Sequence, residues 1–160
     1  MSTTSIIYPG EVLIGIWVKG HDPLDSTIKF LTRGDGTHAG FRRGNGKIVE
    51  NFYPRVHERD LNPGEQVDWF RIKGATTADF AKLEKWFDDQ LKNPVAYSIL
   101  DLFRYAVNLP PVEGGSCFCS MFVLRGCRLC LPPQCQPLVR LEYKDFAAPT
   151  QLYTSPILIK

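Results

Sequence analysis

Thr37-His38-Ala39-Gly40-Phe41-Arg42-Arg43-Gly44-Asn45-Gly46-Lys47-Ile48-Val49-Glu50-Asn51-Phe52-Tyr53 is the stretch whose reading decides the fold. Two runs with strand character, 37–43 and 47–53, flank Gly-Asn-Gly, and that pattern specifies a β-hairpin. Its register decides which side chains meet. A two-residue Asn-Gly turn sets Gly44 opposite Lys47 and gives Asn51 the face that carries His38. A three-residue Gly-Asn-Gly loop with a bulge pairs Arg43 with Lys47 and Gly40 with Glu50. His38, Gly40, Ile48 and Glu50 then share one face, with His38 and Glu50 as diagonal neighbours whose Cβ atoms lie roughly 7–8 Å apart. Glycines at both flanking positions suit the bulged loop, so Glu50 is the favoured partner of His38.

Working back from the hairpin, residues 11–18 form an almost continuous apolar run, as a buried strand would. Gly20-His21-Asp22-Pro23 breaks it, and Asp22 and Pro23 can open a helix over 23–32 with Leu24, Ile28 and Leu31 on its apolar face. Gly34-Asp35-Gly36 then turns the chain into the His38 strand. Forward of the hairpin, Asp60-Leu61-Asn62-Pro63-Gly64 is a turn cluster and residues 66–72 are a further strand. Thr76 or Thr77 caps an amphipathic helix to Lys92, with Phe80, Leu83, Phe87 and Leu91 along one stripe. Asn93-Pro94 stops it. A second helical stretch covers 98–107, and a Pro- and Gly-rich loop leads from it to Ser116-Cys117-Phe118-Cys119-Ser120-Met121-Phe122-Val123. There a short helix begins at Cys119 and closes at Gly126. Residues 138–143 are the last expected strand, and 146–160 an irregular wrap anchored by Leu152, Ile157 and Ile159.

The 160 residues, 44% hydrophobic, suit one domain with a full core, and no repeat or boundary divides them. A net charge of +2, with basic residues scattered, argues against nucleic-acid binding. The first ten residues lack the basic and apolar regions of a signal peptide, and no apolar run approaches the roughly 18 residues of a membrane span. The expectation is a protein made in the cytoplasm without an integral membrane segment, with signal-less export left open. Five cysteines is an odd count that suits a reducing compartment. Cys127, Cys130 and Cys135 lack a nearby fourth ligand for zinc, because no histidine follows His57. No metal and no cofactor are expected.

Cys119, at the mouth of a helix, is the candidate nucleophile: free helix-terminal amides and a nearby imidazolium favour a thiolate. His38 is the candidate general base, and later the acid that protonates the leaving group. Glu50, or Asn51 in the other register, would orient the imidazole. The competing reading makes Cys119 a small buried hydrophobe, His38 a strand histidine bonded to a carbonyl and Glu50 a solvent-facing carboxylate. Cys117 is the rival nucleophile, in the turn, and Ser120 a helix-start residue. His21 and His57 read as solvated. Trp17, Trp69 and Trp86 read as core or rim aromatics.

In this order, the motifs resemble the circularly permuted branch of the NlpC-type papain-like cysteine hydrolases, the YaeF/YiiX-type proteins most of all and lecithin:retinol acyltransferase distantly. The likeness is carried by Thr37-His38-Ala39-Gly40-Phe41, Ile48-Val49-Glu50, Trp69-Phe70-Arg71, Asn93-Pro94-Val95-Ala96-Tyr97, Phe118-Cys119-Ser120-Met121-Phe122-Val123 and Pro149-Thr150-Gln151-Leu152-Tyr153-Thr154-Ser155-Pro156. It spans nearly the whole chain, although Met121 stands where that family often carries an acidic residue. The resemblance implies an α+β fold with an antiparallel sheet packed by helices, in which the nucleophile follows its histidine. It also implies a catalytic set of Cys119, His38 and Glu50, with Tyr97 beside the substrate cleft. The expected activity is that of a cysteine peptidase or amidase acting on a small peptide-like substrate, cell-wall peptide included. An acyltransferase or thioesterase on a lipid or acyl substrate, and a catalytically silent binding module, are the alternatives.

Overall fold

Gly46 sits at φ 89°, a left-handed conformation that glycine adopts without steric cost, and it closes the Gly44–Gly46 loop. The amide of Arg43 donates to Lys47 O at 2.8 Å and that of Gly46 to Arg43 O at 2.9 Å. The resulting pairs, Phe41 with Val49 and Arg42 with Ile48, are those of the three-residue bulged loop. The computed structural model describes residues 10–19, 36–107, 109–112, 115–137 and 147–160. The expected helix over 23–32, the expected strand over 138–143, and His21 lie outside the described residues.

Around the hairpin the described chain builds an α+β structure. Its strands are β1 (Leu13–Lys19), β2 (His38–Arg42), β3 (Ile48–Phe52), β4 (Arg55–Arg59), β5 (Gln66–Ile72) and β6 (Leu158–Ile159). They form one antiparallel sheet in the order β4-β3-β2-β1-β5-β6. Its helices are α1 (Thr77–Lys92), α2 (Ile99–Ala106), α3 (Cys119–Cys130) and the short α4 (Pro149–Leu152), with a 3-10 turn at Pro133–Cys135. Among the described residues no helix is long and apolar enough to cross a membrane.

Strand alternation sorts the sheet into two faces. Pairing sets Ile14 opposite Phe41 and Ile16 opposite Ala39, and these buried residues face the helices. The Phe41 ring lies 5.0 Å from Phe87 of α1 and 6.1 Å from Phe122 of α3. Pairing also sets Gly15 opposite both Gly40 and Trp69, and Trp17 opposite His38, so these residues share the other face. α1 begins with a capping box in which the Thr76 hydroxyl accepts from the Asp79 amide while the Asp79 carboxylate accepts from the Thr76 amide. Such a cap contributes about 1 kcal/mol.

The structure departs from the sequence reading at three places. α3 does not close at Gly126 but runs on to Cys130. That glycine serves close approach instead of termination: a Cβ there would stand 2.6 Å from the Trp86 ring of α1. β4 was not expected, because Arg-Val-His-Glu-Arg offers only one apolar residue and shows no alternation of an ordinary core strand. A charged sequence of that kind suits the edge of a sheet. The C-terminal stretch is more regular than a loose wrap, since α4 and β6 form within it and β6 pairs with β5.

Candidate active site

His38 is the first residue of β2 and Phe52 the last of β3, so both stand at one end of the hairpin. The imidazole is held between aromatic rings, 5.0 Å from Trp17 and 5.2 Å from Phe52 by ring centroids, each edge-on. Diagonal to it, Glu50 reaches His38 Nε2 with Oε2 at 2.8 Å. A carboxylate only accepts hydrogen bonds, so Nε2 carries the proton, and in the neutral ring Nδ1 carries the lone pair. Nδ1 is buried and makes no well-aligned hydrogen bond to nitrogen or oxygen. Cys119 lies close enough to the ring to interact with it electrostatically. A loose contact of this kind is usual for a reactive pair without substrate.

Burial disfavours a charge on His38, but the Glu50 carboxylate, the neighbouring Cys119 and the hydrogen bond to Glu50 outweigh it and raise the imidazole to about 10. Burial also opposes the charge on Glu50, yet His38, His57 and Arg59 together hold its carboxyl far below the usual carboxylate range. All three groups are enclosed: Cys119 is 1% exposed, His38 4% and Glu50 2%.

Cys119 arrives from the opposite side of the chain. It is the first residue of α3, whose N-cap is Phe118 in extended conformation with no side-chain cap. The first helical amides therefore lack a capping acceptor and are oriented toward the end where the sulfur stands. Ser120 donates its hydroxyl to Ala147 O, which agrees with a helix-start role. Asn51, one residue along from Glu50 and on the helix-facing side, donates from Nδ2 to Cys117 O at 2.7 Å and to Cys117 Sγ at 3.2 Å. Neighbouring residues of one strand thus do separate jobs, Glu50 holding the imidazole and Asn51 holding the turn before Cys119. Burial pushes the Cys117 thiol up, which disfavours its thiolate.

Tyr97 belongs to an extended connection between α1 and α2 that ties both halves together. On one side the Val56 amide donates to Val95 O and the Tyr97 amide to Pro54 O, both at 2.9 Å. On the other, the Ser98 amide donates to Cys117 O at 3.0 Å and the Cys117 amide to Ala96 O at 3.2 Å. The Tyr97 ring is buried and packs 6.1 Å from Phe52.

His57, expected to be solvated with some chance of lining a cleft, is open to solvent on one side only. It is half-buried, opposite Glu50 in the β3–β4 register, with Nε2 3.3 Å from Glu50 Oε1. Arg59 donates from Nε to the same oxygen and from Nη2 to Oε2 at 3.3 Å. Glu65 in turn accepts from Arg59 Nη1 and Nη2 at 2.9 and 3.0 Å. Sequence reasoning missed these groups because it missed β4. The available signal was the two-residue link Tyr53-Pro54, which pairs Phe52 with Arg55 and so Glu50 with His57.

All five cysteines are free. Among the described residues no group of three His, Cys, Asp or Glu side chains is placed to hold a metal ion. No family model matches the chain, and no characterised protein is significantly similar to it in sequence.

Proposed function

We propose that the protein is a cysteine hydrolase that cleaves an amide bond in a small peptide-like substrate through a thioester on Cys119. The observation that supports this reading is the setting of His38: Glu50 holds Nε2, Nδ1 is left without a nitrogen or oxygen partner, and Cys119 interacts with the same ring. With the thiol's proton held on Nδ1, the reacting pair is a thiolate and an imidazolium stabilised by Glu50. The thiolate attacks the carbonyl carbon, and the Cys119 amide at the uncapped helix start donates to the developing oxyanion. His38 then gives its proton to the leaving amine as the carbon–nitrogen bond breaks. Water, losing its proton to Nδ1, cleaves the thioester, releases the acid and regenerates the thiol. Tyr97, beside Phe52 and the Cys117 turn, lines the approach for substrate. Resemblance to the permuted NlpC-type papain-like hydrolases agrees with this order, with histidine and carboxylate on sheet strands and a later cysteine at a helix start.

A second reading, acyl transfer or thioester hydrolysis on a lipid or acyl substrate, uses the same pair. It is favoured by the exposed apolar side chains of α2, which starts directly after Ser98 at the Cys117 turn, and of its C-cap: Ile99, Leu100, Phe103 and Val107.

The deciding experiment is alkylation by iodoacetamide followed by mass spectrometry that resolves each cysteine. Cys119 is expected to react fastest near neutral pH, and His38→Ala to slow it by about a hundredfold or more. Cys119 reacting no faster than Cys117, or at an equal rate in His38→Ala, would refute the proposal. Thioester adducts formed with peptide amides or with acyl esters then select between the two substrate classes.

A further inference from the structure

Glu50 has more partners than an orienting carboxylate needs. Oε2 meets His38 Nε2 at 2.8 Å and Arg59 Nη2 at 3.3 Å, while Oε1 meets Arg59 Nε and His57 Nε2. Arg59 is itself drawn away by Glu65 and by Asp60 O, 3.0 Å from Nη1, and its guanidinium lies 5.9 Å over the Trp17 ring. His57 is therefore the partner that touches only the Oε1 edge, opposite the edge that serves His38.

His57 has a second property. Its Nδ1 lies 3.0 Å from Arg55 O and its Nε2 3.3 Å from Glu50 Oε1, and both of those atoms only accept hydrogen bonds. Both ring nitrogens must carry protons to suit them, so the imidazolium keeps the hydrogen bond to Arg55 O and the ion pair with Glu50, and the neutral ring must give one up. The His57 side chain is 37% exposed, against 22% for Arg59, 6% for His38 and 2% for Glu50. Bulk solution thus reaches this network chiefly through His57.

We propose that His57 is a positioning residue for the Cys119–His38 pair, clamping the Oε1 edge of Glu50 so that Oε2 stays in line with His38, and that loss of its proton loosens the clamp. The inference rests on the reading of Cys119 and His38 as the reacting pair. The groups that face His57 are Glu50 from β3 and Arg59 and the Arg55 carbonyl from β4; His38 of β2 and Glu65 act through Glu50 and Arg59. Arg43, Glu58, Glu84 and Asp88 form a separate cluster that joins the hairpin loop to α1. The hydrogen bond to Glu50 raises His57, with burial and the Arg59 charge opposing, so the imidazolium persists above the ordinary histidine value of 6.5. The clamp is closed below that raised value and opens as pH climbs through it.

Two variants of the full chain test this. His57→Ala removes the donor; His57→Gln keeps a non-titrating N–H at similar reach. Site-resolved alkylation of Cys119 by iodoacetamide is measured from pH 5 to 9, and the His38 and His57 ring signals are followed by NMR. His57→Ala should slow Cys119 about threefold at pH 7, the equivalent of half a pK unit, and move the His38 signal. His57→Gln should restore the rate and remove the alkaline step that the wild type shows where His57 loses its proton. A His57→Ala profile that superposes on wild type overturns the proposal, as does His57→Gln being no better than His57→Ala. The NMR arm separates the two levels of the reading. If Glu50→Gln lowers the His57 titration and His57→Ala moves His38, while Cys119 has no His38-dependent reactivity, the clamp stands and the hydrolase reading fails. If Glu50→Gln leaves the His57 titration unmoved, the clamp fails whatever Cys119 does.

Discussion

The two faces of the sheet use the same strands for opposite ends. Toward the helices, Ile14, Ile16, Ala39, Phe41 and Val49 are fully buried and join a continuous apolar core with Phe87 and Phe122. On the other face, often one residue away, stand Trp17, His38 and Glu50, with His57 and Arg59 reaching Glu50 from the next strand. The first face is non-directional and gains stability in proportion to area removed from water. The second consists of directed bonds between ionised groups, whose burial is costly unless every partner is present. A one-residue slip of β3 would exchange Glu50 for Asn51 and mix the two sets, so the bulged loop separates stability from chemistry.

That separation can be broken from either side. The largest effect is expected from Phe41→Ala, which removes a ring packed against Phe87, Phe122 and Trp86. It should cost about 3–5 kcal/mol in urea unfolding, while the protein that remains folded keeps its Cys119 alkylation rate. Glu50→Gln, on the other face, should invert the pattern. Cys119 alkylation should fall tenfold or more at neutral pH, against a stability loss of about 1–3 kcal/mol. Equal effects of the two variants on rate would show that the faces are not independent.

The smallest effect is the pH dependence of stability. His38 is raised from 6.5 to about 10, so its contribution is complete below 6.5 and fades as pH rises toward 10. Glu50 is lowered from 4.5, so its contribution is complete above 4.5 and fades as pH falls below it. The wild type should therefore exceed Glu50→Gln in stability most between pH 4.5 and 6.5, with the gap narrowing on both sides when the two are unfolded in parallel. A gap that is constant across pH would show that the pair does not titrate with folding.

What the sequence disclosed follows the same division. Regular patterns were readable: the buried run of β1, the Gly-Asn-Gly loop and its register, β5 at 66–72, and the Thr76 cap with the Phe80, Leu83 and Phe87 stripe of α1. The proximity of Cys119 to His38 was legible only through the order of motifs, because no local rule predicts a contact between residues so distant in the chain. β4 was hidden, since an edge strand built of charges has little of the apolar alternation that marks a strand, and His57, Arg59 and their hold on Glu50 were hidden with it. Gly126 misled for a different reason: close packing of Trp86 and termination of a helix both call for glycine, and only the neighbours distinguish them.

The connection through Val95 and Tyr97 has a consequence for how the molecule meets other chains. An outermost strand ordinarily offers a row of open amides and carbonyls, a template on which foreign strands can grow. Here the start of that row, from Pro54 to Val56, is occupied by Val95, Ala96 and Tyr97, which continue to the turn before Cys119. The segment that braces the Cys117 turn thus also covers the start of this margin, and a substitution that frees it should lay open more of the edge as it loosens the turn before Cys119.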